Sequence, residues 1–191
     1  REIKEDELFK DYAKVMGTGT SKRLYSATVD LAPILAGLRA LGDNHNMDIK
    51  DLTSKVCFLL ATCGILRPDD LACTDASQCK IVEGVLKLVV VFPKEHRGGQ
   101  SIIKTVDIKP HPVEYFCPVK AYVEYRRRTS DQDRFAKTIH PKSETEYFTP
   151  LMRYVNRGNL GLGSERISKY IQEIMKLMPR DQNHRPYKAR A

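Results

Sequence analysis

An apolar segment that ends at an arginine constrains the fold more than any other part of the sequence. Its apolar residues recur at the three- and four-residue spacing of one buried helix face: Ile49, Leu52, Val56, Leu59, Leu60 and Cys63. Gly64 favours the end of that helix, and Pro68 disfavours helical geometry at Arg67 while suiting the first turn of a new helix. The sequence therefore predicts that Arg67 lies at a break between two helices, at the edge of a core.

A guanidinium group at the edge of a core needs an anion. The planar fork of Arg67 matches a carboxylate or a phosphate, and Asp70 follows three residues later. The local pattern leaves two interpretations open. Arg67 and Asp70 can form a structural ion pair at a helix junction, or they can belong to an anion-binding site.

The charge balance favours a nucleic-acid partner. Lysine and arginine number 32 against 24 aspartates and glutamates, which gives a formal net charge of +8. Net charge alone indicates only non-specific affinity, so it raises this expectation modestly.

The cysteine and histidine pattern predicts neither a disulfide framework nor a metal site. The five cysteines are odd in number, form no CxxC pair and lie mostly in apolar runs, and no histidine pairs with one at zinc-ligand spacing. We expect reduced core cysteines, no metal and no cofactor. No apolar run approaches membrane-spanning length and no signal-peptide pattern is present, so we expect a soluble intracellular protein without a membrane partner.

The remaining chain predicts an α+β fold, mainly helical with a small three-stranded antiparallel sheet. Residues 1–27 are interpreted as an amino-terminal helix and linker, the remnant of a preceding domain, and residues 28–191 as the main domain. Asp30, Asp48 and Ser164 are predicted helix caps. Strands are predicted over 80–92 and 101–108, joined by a basic turn, and further helices over 117–128 and after 164. The arginines at 126–128 are interpreted as a solvated helix end.

This order of elements resembles the catalytic domain of tyrosine recombinases, the family of the phage integrases. The segment 64–71 is similar to the family's first box, Gly-x-x-Arg-x-x-Glu/Asp-Leu. Residues 164–171 are similar to the helix before the second box, and Tyr187-Lys188-Ala189-Arg190 resembles that box, His-x-x-Arg, with tyrosine in the histidine position. The sequence Lys188-Ala189-Arg190 in the second box is most similar to that of eukaryotic mobile-element recombinases of the Crypton type. The resemblance covers roughly residues 28–191.

The resemblance implies a tyrosine that attacks a DNA phosphodiester and forms a 3'-phosphotyrosyl link, without metal or nucleotide. Arg67 and Arg190 would neutralise the phosphate oxygens, and Asp70 would orient Arg67. The family's hairpin lysine protonates the leaving 5'-oxygen. Lys94 stands beside the turn and is the first candidate, with Lys87 and Lys104 as alternatives if the strand register differs. Tyr187 would be catalytic or structural, and the expected DNA contacts are Arg67, Lys94, Arg97, Lys188 and Arg190.

One departure from the family concerns the nucleophile. Only Ala191 follows Arg190, whereas the family's tyrosine lies beyond the second arginine, so we expect this chain alone to be inactive. The full-length protein is then either an enzyme of site-specific recombination or mobile-element integration, or a non-catalytic DNA-binding module derived from one. A basic helical interaction domain is a third alternative. The expected partner is double-stranded DNA, with a monomer in solution, a homo-oligomer on DNA and, from the resemblance, a nuclear location.

Overall fold

The computed structural model describes residues 31–93, 96–97, 100–130, 137–154 and 160–177, and only the backbone of residues 96, 97, 100 and 101. The predicted amino-terminal segment 1–27 lies outside the described residues. So do Lys94, Tyr187, Lys188 and Arg190.

The described residues form an α+β structure, as predicted. The five helices are α1 (Ala32–Ala40), α2 (Ile49–Cys63), α3 (Pro68–Ala72), α4 (Pro118–Thr129) and α5 (Ser164–Met175). The strands are β1 (Lys80–Val82), β2 (Val85–Val90), β3 (His96–Arg97), β4 (Gln100–Ser101), β5 (Lys104–Ile108), β6 (Thr138–Ile139) and β7 (Tyr147–Phe148). None of the helices in this part of the chain is long and apolar enough to cross a membrane.

The small antiparallel sheet has the strand order β1-β2-β5 and confirms the predicted three strands. Alternate residues of β2 point into the core, where Leu86, Leu88 and Val90 are completely buried. The β2–β5 register pairs Val90 with Lys104. Strands β3 and β4 form a separate two-stranded ribbon inside the β2–β5 connection.

Helix α2 forms the centre of the core. The Asp48 carboxylate accepts a hydrogen bond from the backbone N–H of Lys50 at 2.9 Å, which confirms the predicted cap. The helix ends at Gly64, as predicted, and α4 and α5 both pack against it. Cys63 is exposed, contrary to its predicted place on the buried face, because the buried stripe ends before the helix does.

The starts of α1 and α5 do not confirm the predicted caps. The N-cap residue of α1 is Leu31, and the predicted cap, Asp30, lies outside the described residues. Ser164 is the first residue of α5, whose N-cap is Gly163, so its hydroxyl does not act as the predicted cap. Both helices are held by core packing: Ile34 and Leu38 anchor α1, and three isoleucines, Ile167, Ile171 and Ile174, anchor α5.

Arg128 is not the solvated helix end that the sequence pattern indicated. The end of α4 lies beside the loop between α1 and α2, and the Arg128 guanidinium donates to the carbonyls of Met47 at 2.6 Å, Asn44 at 2.9 Å and His45. Its Nε also donates to Glu124 at 2.7 Å. Arg128 therefore ties this loop to α4.

The neighbouring Arg127 provides a matched control for this tie. Its side chain is 56% exposed, and it donates to the Glu124 carboxylate at 2.7 and 2.9 Å. It also lies 3.4 Å from the exposed His45 ring, so it differs from Arg128 in the carbonyl contacts and not in every contact with the loop. Together, hydrogen bonds from Arg127 and Arg128 lower the pKa of Glu124 to about 2.

We predict that Arg128→Met lowers the free energy of unfolding by about 2 kcal/mol, because the loop carbonyls lose a charged hydrogen-bond donor. Arg127→Met removes an exposed ion pair and should cost less than about 1 kcal/mol. Urea denaturation of both variants measures the difference, and equal losses would show that the loop contacts of Arg128 contribute nothing.

Candidate functional site

The junction between α2 and α3 places Arg67 where the sequence predicted it. Arg67 has extended geometry, with φ −75° and ψ 155°, and it is the N-cap residue of α3. Leu66 is 1% exposed, and its N–H donates to the carbonyl of Ala61 at 2.9 Å. This buried leucine fixes the junction to the core, while Arg67 is half-buried at its edge.

Gly64 is required at this junction by close packing. A Cβ atom there would lie 2.9 Å from the Leu60 carbonyl oxygen and 3.1 Å from the Ile108 side chain. Glycine therefore allows α2 to end directly against strand β5. This contact brings the sheet close to the residues that precede Arg67.

Asp70 is the central acceptor of the site. Its side chain is 1% exposed, and its Oδ2 accepts a hydrogen bond from the backbone N–H of Arg67 at 3.0 Å. The carboxylate thus caps the first turn of α3 and fixes the backbone that carries the Arg67 side chain. Within the described part of the chain, its Oδ1 atom is buried and has no hydrogen-bond partner.

Lys104 brings an ammonium group to the same carboxylate. Its Nζ atom lies 3.5 Å from Asp70 Oδ2, the oxygen that also accepts from Arg67. Lys104 belongs to β5 and is 31% exposed, so the sheet delivers it to the helix junction. The structure therefore joins Arg67, Asp70 and Lys104 around one oxygen atom.

The other sequence-predicted site residues are not part of this described group. Lys87 lies on β2, where it pairs with Asp107 of β5 at 2.8 Å on the exposed face of the sheet. Arg97 belongs to β3, and its side chain is not described. Lys94, Tyr187, Lys188 and Arg190 lie outside the described residues, so their predicted roles stay predictions.

Sequence reasoning missed Lys142, which lies next to Asp69 in the structure. Lys142 follows β6, and its Nζ lies 2.5 Å from Asp69 Oδ2 and 3.1 Å from the Phe92 carbonyl oxygen. Burial lowers the pKa of Lys142, but hydrogen bonds and charge interactions with Asp69 and Cys73 outweigh it, so the pKa lies above its ordinary value. No sequence signal connects these residues, because 73 positions separate Lys142 from Asp69.

A buried imidazole lies under this lysine. His140 is 1% exposed, and its ring lies 4.8 Å from the Phe92 ring and 4.6 Å from the Phe148 ring. Its Nδ1 accepts a hydrogen bond from the backbone N–H of Lys142 at 3.2 Å. Burial, followed by the charge of Lys142, lowers the pKa of His140 below its ordinary value.

Helix α3 begins with two adjacent carboxylates that contact basic residues. Asp70 holds the backbone of Arg67 and pairs with Lys104, and Asp69 pairs with Lys142. Arg67 and Lys104 can bind an anion such as a phosphate group, because the Arg67 backbone and the Lys104 ammonium group are fixed before the anion arrives. Among the described residues, no group of three or more His, Cys, Asp or Glu side chains could hold a metal ion.

We predict that His140 makes stability fall as the pH drops below about 6.5. Its pKa in the folded protein lies below the unfolded value, so the unfolded chain binds the proton more readily. The contribution is fully present above about pH 6.5 and is lost as the pH falls toward the folded pKa. His140→Phe should flatten this part of a pH-dependent urea denaturation series, and an unchanged slope would contradict the assignment.

Comparison of the chain with protein-family models finds no match, and comparison with curated proteins finds no significant similarity.

Proposed function

We propose that this protein binds double-stranded DNA and breaks and rejoins its strands through a phosphotyrosyl intermediate, as a tyrosine recombinase in site-specific recombination or mobile-element integration. The observation that carries the proposal is the joining of Arg67, Asp70 and Lys104 around one carboxylate oxygen. An arginine after an apolar helix and its acidic companion are the parts of the first box, and the recombinase resemblance implies a sheet lysine near them.

The geometry supports a catalytic use of Arg67. A phosphodiester under attack accumulates negative charge on its nonbridging oxygens, and cations with fixed positions stabilise that charge best. The buried Asp70 carboxylate holds the Arg67 backbone at 3.0 Å, and Leu66 anchors the preceding residue in the core. Arg67 is thus carried by a rigid junction, as a transition-state contact needs.

The proposed reaction conserves one phosphodiester bond. A tyrosine oxygen forms a bond to phosphorus, the bond from phosphorus to the 5'-oxygen breaks, and a lysine gives its proton to that leaving oxygen. Lys94 is the first candidate for the acid, and the position of Lys104 beside Asp70 strengthens the case for this alternative. Arg190 would supply the second cation. The proposal requires a tyrosine on the carboxyl-terminal side of Arg190.

A non-catalytic DNA-binding module is the second candidate function. The observation that favours it is Tyr187, which stands where the resembled family has a histidine that handles a proton. Such a module would use the same cations to hold DNA phosphates without cutting.

The oligomeric state and the cellular location are proposed from the resemblance. Strand exchange between two duplexes needs several protomers, so the proposal includes a homo-oligomer on DNA and a monomer away from it. A nuclear location is proposed from the Crypton-type resemblance.

We predict that binding of a 30-base-pair duplex, about three helical turns, weakens steeply with salt, through counterion release. Arg67→Ala should reduce the slope of log affinity against log salt by about 0.9, the value for one lost phosphate contact. Lys87→Met removes a cation from the exposed face of the same domain and serves as the control, with its slope unchanged. Fluorescence anisotropy measures both, and salt-insensitive binding would exclude a phosphate-binding site.

We predict a covalent protein–DNA adduct when the uncut native protein meets a nicked suicide duplex, visible by denaturing electrophoresis. Arg67→Ala should slow adduct formation about 10² to 10³-fold, the effect of removing one charge-stabilising donor. Absence of an adduct, with salt-sensitive binding intact, would favour the non-catalytic module. Absence of both would refute both functions.

A further inference from the structure

The long connection between β2 and β5 is held at both of its ends by adjacent residues of α3. It contains the ribbon of β3 and β4 and, by sequence, the candidate DNA contacts Lys94 and Arg97. The position of this connection relative to Arg67 therefore depends on what fixes its two ends.

The end of the connection that follows β2 is fixed at Val91 and Phe92. The Val91 N–H donates to the carbonyl of Cys73, the residue directly after α3, at 2.9 Å. The Phe92 carbonyl accepts from Lys142 Nζ at 3.1 Å, and the same ammonium group lies 2.5 Å from the Asp69 carboxylate. Phe92 also has a positive φ of 52°, which a non-glycine residue keeps only where its surroundings impose it.

The end of the connection that leads into β5 is fixed at Lys104. Its ammonium group lies 3.5 Å from Asp70, the residue that follows Asp69. Two consecutive carboxylates thus hold the two ends of one connection, and the first of them acts through a lysine from a third element.

We propose that Lys142 is a positioning residue, which acts with Asp69 to hold the β2 end of the β2–β5 connection, at Phe92, against helix α3, so that the connection is placed for contact with DNA. This inference rests on the proposed DNA-binding function. Lys142 does not contact DNA in this account. It uses its donors on Asp69 and on the Phe92 carbonyl, and so joins the turn after β6, helix α3 and the end of β2.

The exposure of the pair favours local positioning over global stabilisation. The Lys142 and Asp69 side chains are 34% and 39% exposed. An ion pair this accessible to water contributes little to overall stability. Its effect should appear in the order of the connection at Phe92, since the hydrogen bond to the Phe92 carbonyl depends on Lys142.

The first test is hydrogen–deuterium exchange of the chain without DNA, which does not depend on the proposed function. Lys142→Met should speed exchange of the Val91 amide, which donates to the Cys73 carbonyl, about tenfold and leave α4 unchanged. Lys142→Arg keeps both donors and should restore slow exchange. Lys87→Met, which breaks the Lys87–Asp107 pair on the same sheet, is the matched control and should leave residues 91–93 unchanged. Unchanged exchange in Lys142→Met would overturn the proposal.

The second test uses a substitution for which positioning and simple electrostatics predict opposite changes in DNA affinity. Asp69→Ala removes a negative charge, so electrostatic attraction alone predicts tighter duplex binding. Positioning predicts weaker binding by about fivefold, because phosphate contacts from the connection are lost. Lys142→Met should weaken binding similarly, the double variant should be no worse than either single one, and Lys142→Arg should bind like the unchanged chain. Tighter binding by Asp69→Ala would overturn the proposal.

The two tests also separate this inference from the function on which it rests. If the unchanged chain does not bind duplex DNA, the proposed function fails, and a positioning role for DNA contact fails with it, even if Lys142→Met speeds exchange. If the unchanged chain binds DNA and Lys142→Met speeds exchange without weakening binding, the proposed function stands and the positioning role alone is overturned.

Discussion

The buried carboxylate of Asp70 is the interaction on which the site depends. A carboxylate removed from water is stable only when donors replace its hydration, and Asp70 is 1% exposed. The Arg67 N–H and the Lys104 ammonium both meet its Oδ2, while Oδ1 has no partner within the described residues. An exposed aspartate would cap the helix as well as the buried Asp70 does. Burial of the Asp70 carboxylate costs free energy. The buried carboxylate fixes the Arg67 backbone at the helix junction relative to Lys104 on the sheet.

Helix α3 can organise the site because its two aspartates face different neighbours. Adjacent residues of a helix point about 100° apart, so Asp69 reaches Lys142 while Asp70 reaches Lys104. A helix of five residues has little stability of its own, since helix nucleation is costly. It is held by Pro68 at its start and by the completely buried Leu71. The same short element that positions Arg67 thus also fixes both ends of the β2–β5 connection, and any shift in one contact is transmitted to the others.

Local patterns predicted the helices and strands that this arrangement uses. The cap at Asp48, the end of α2 at Gly64 and the new start at Pro68 each depend on residues a few positions apart, and all three are confirmed. Lys142 and the loop contacts of Arg128 could not be predicted, because they join residues more than 70 positions apart and leave no periodicity. The cap at Ser164 was wrong for the opposite reason: local capping propensity was present, but core packing set where the helix begins. The choice between Lys94 and Lys104 also needed strand register, which the sequence left open.

The charge balance at the junction is better suited to orienting cations toward a phosphate than to attracting DNA. Lys104 pairs with Asp70 and Lys142 pairs with Asp69, while Asp70 also holds the Arg67 backbone, so the formal charges of these five residues sum to only +1. A surface that serves only to attract DNA gains from leaving its lysines unpaired, because each paired carboxylate weakens the field that the phosphates meet. The contacts of Asp70 instead restrict where Lys104 and the Arg67 backbone can lie, which benefits a reaction in which charge develops at defined oxygen atoms. Net attraction would then come from the basic excess of the whole chain, and the junction would contribute geometry. This division of roles is expected for a catalytic site more than for a non-catalytic DNA-binding module.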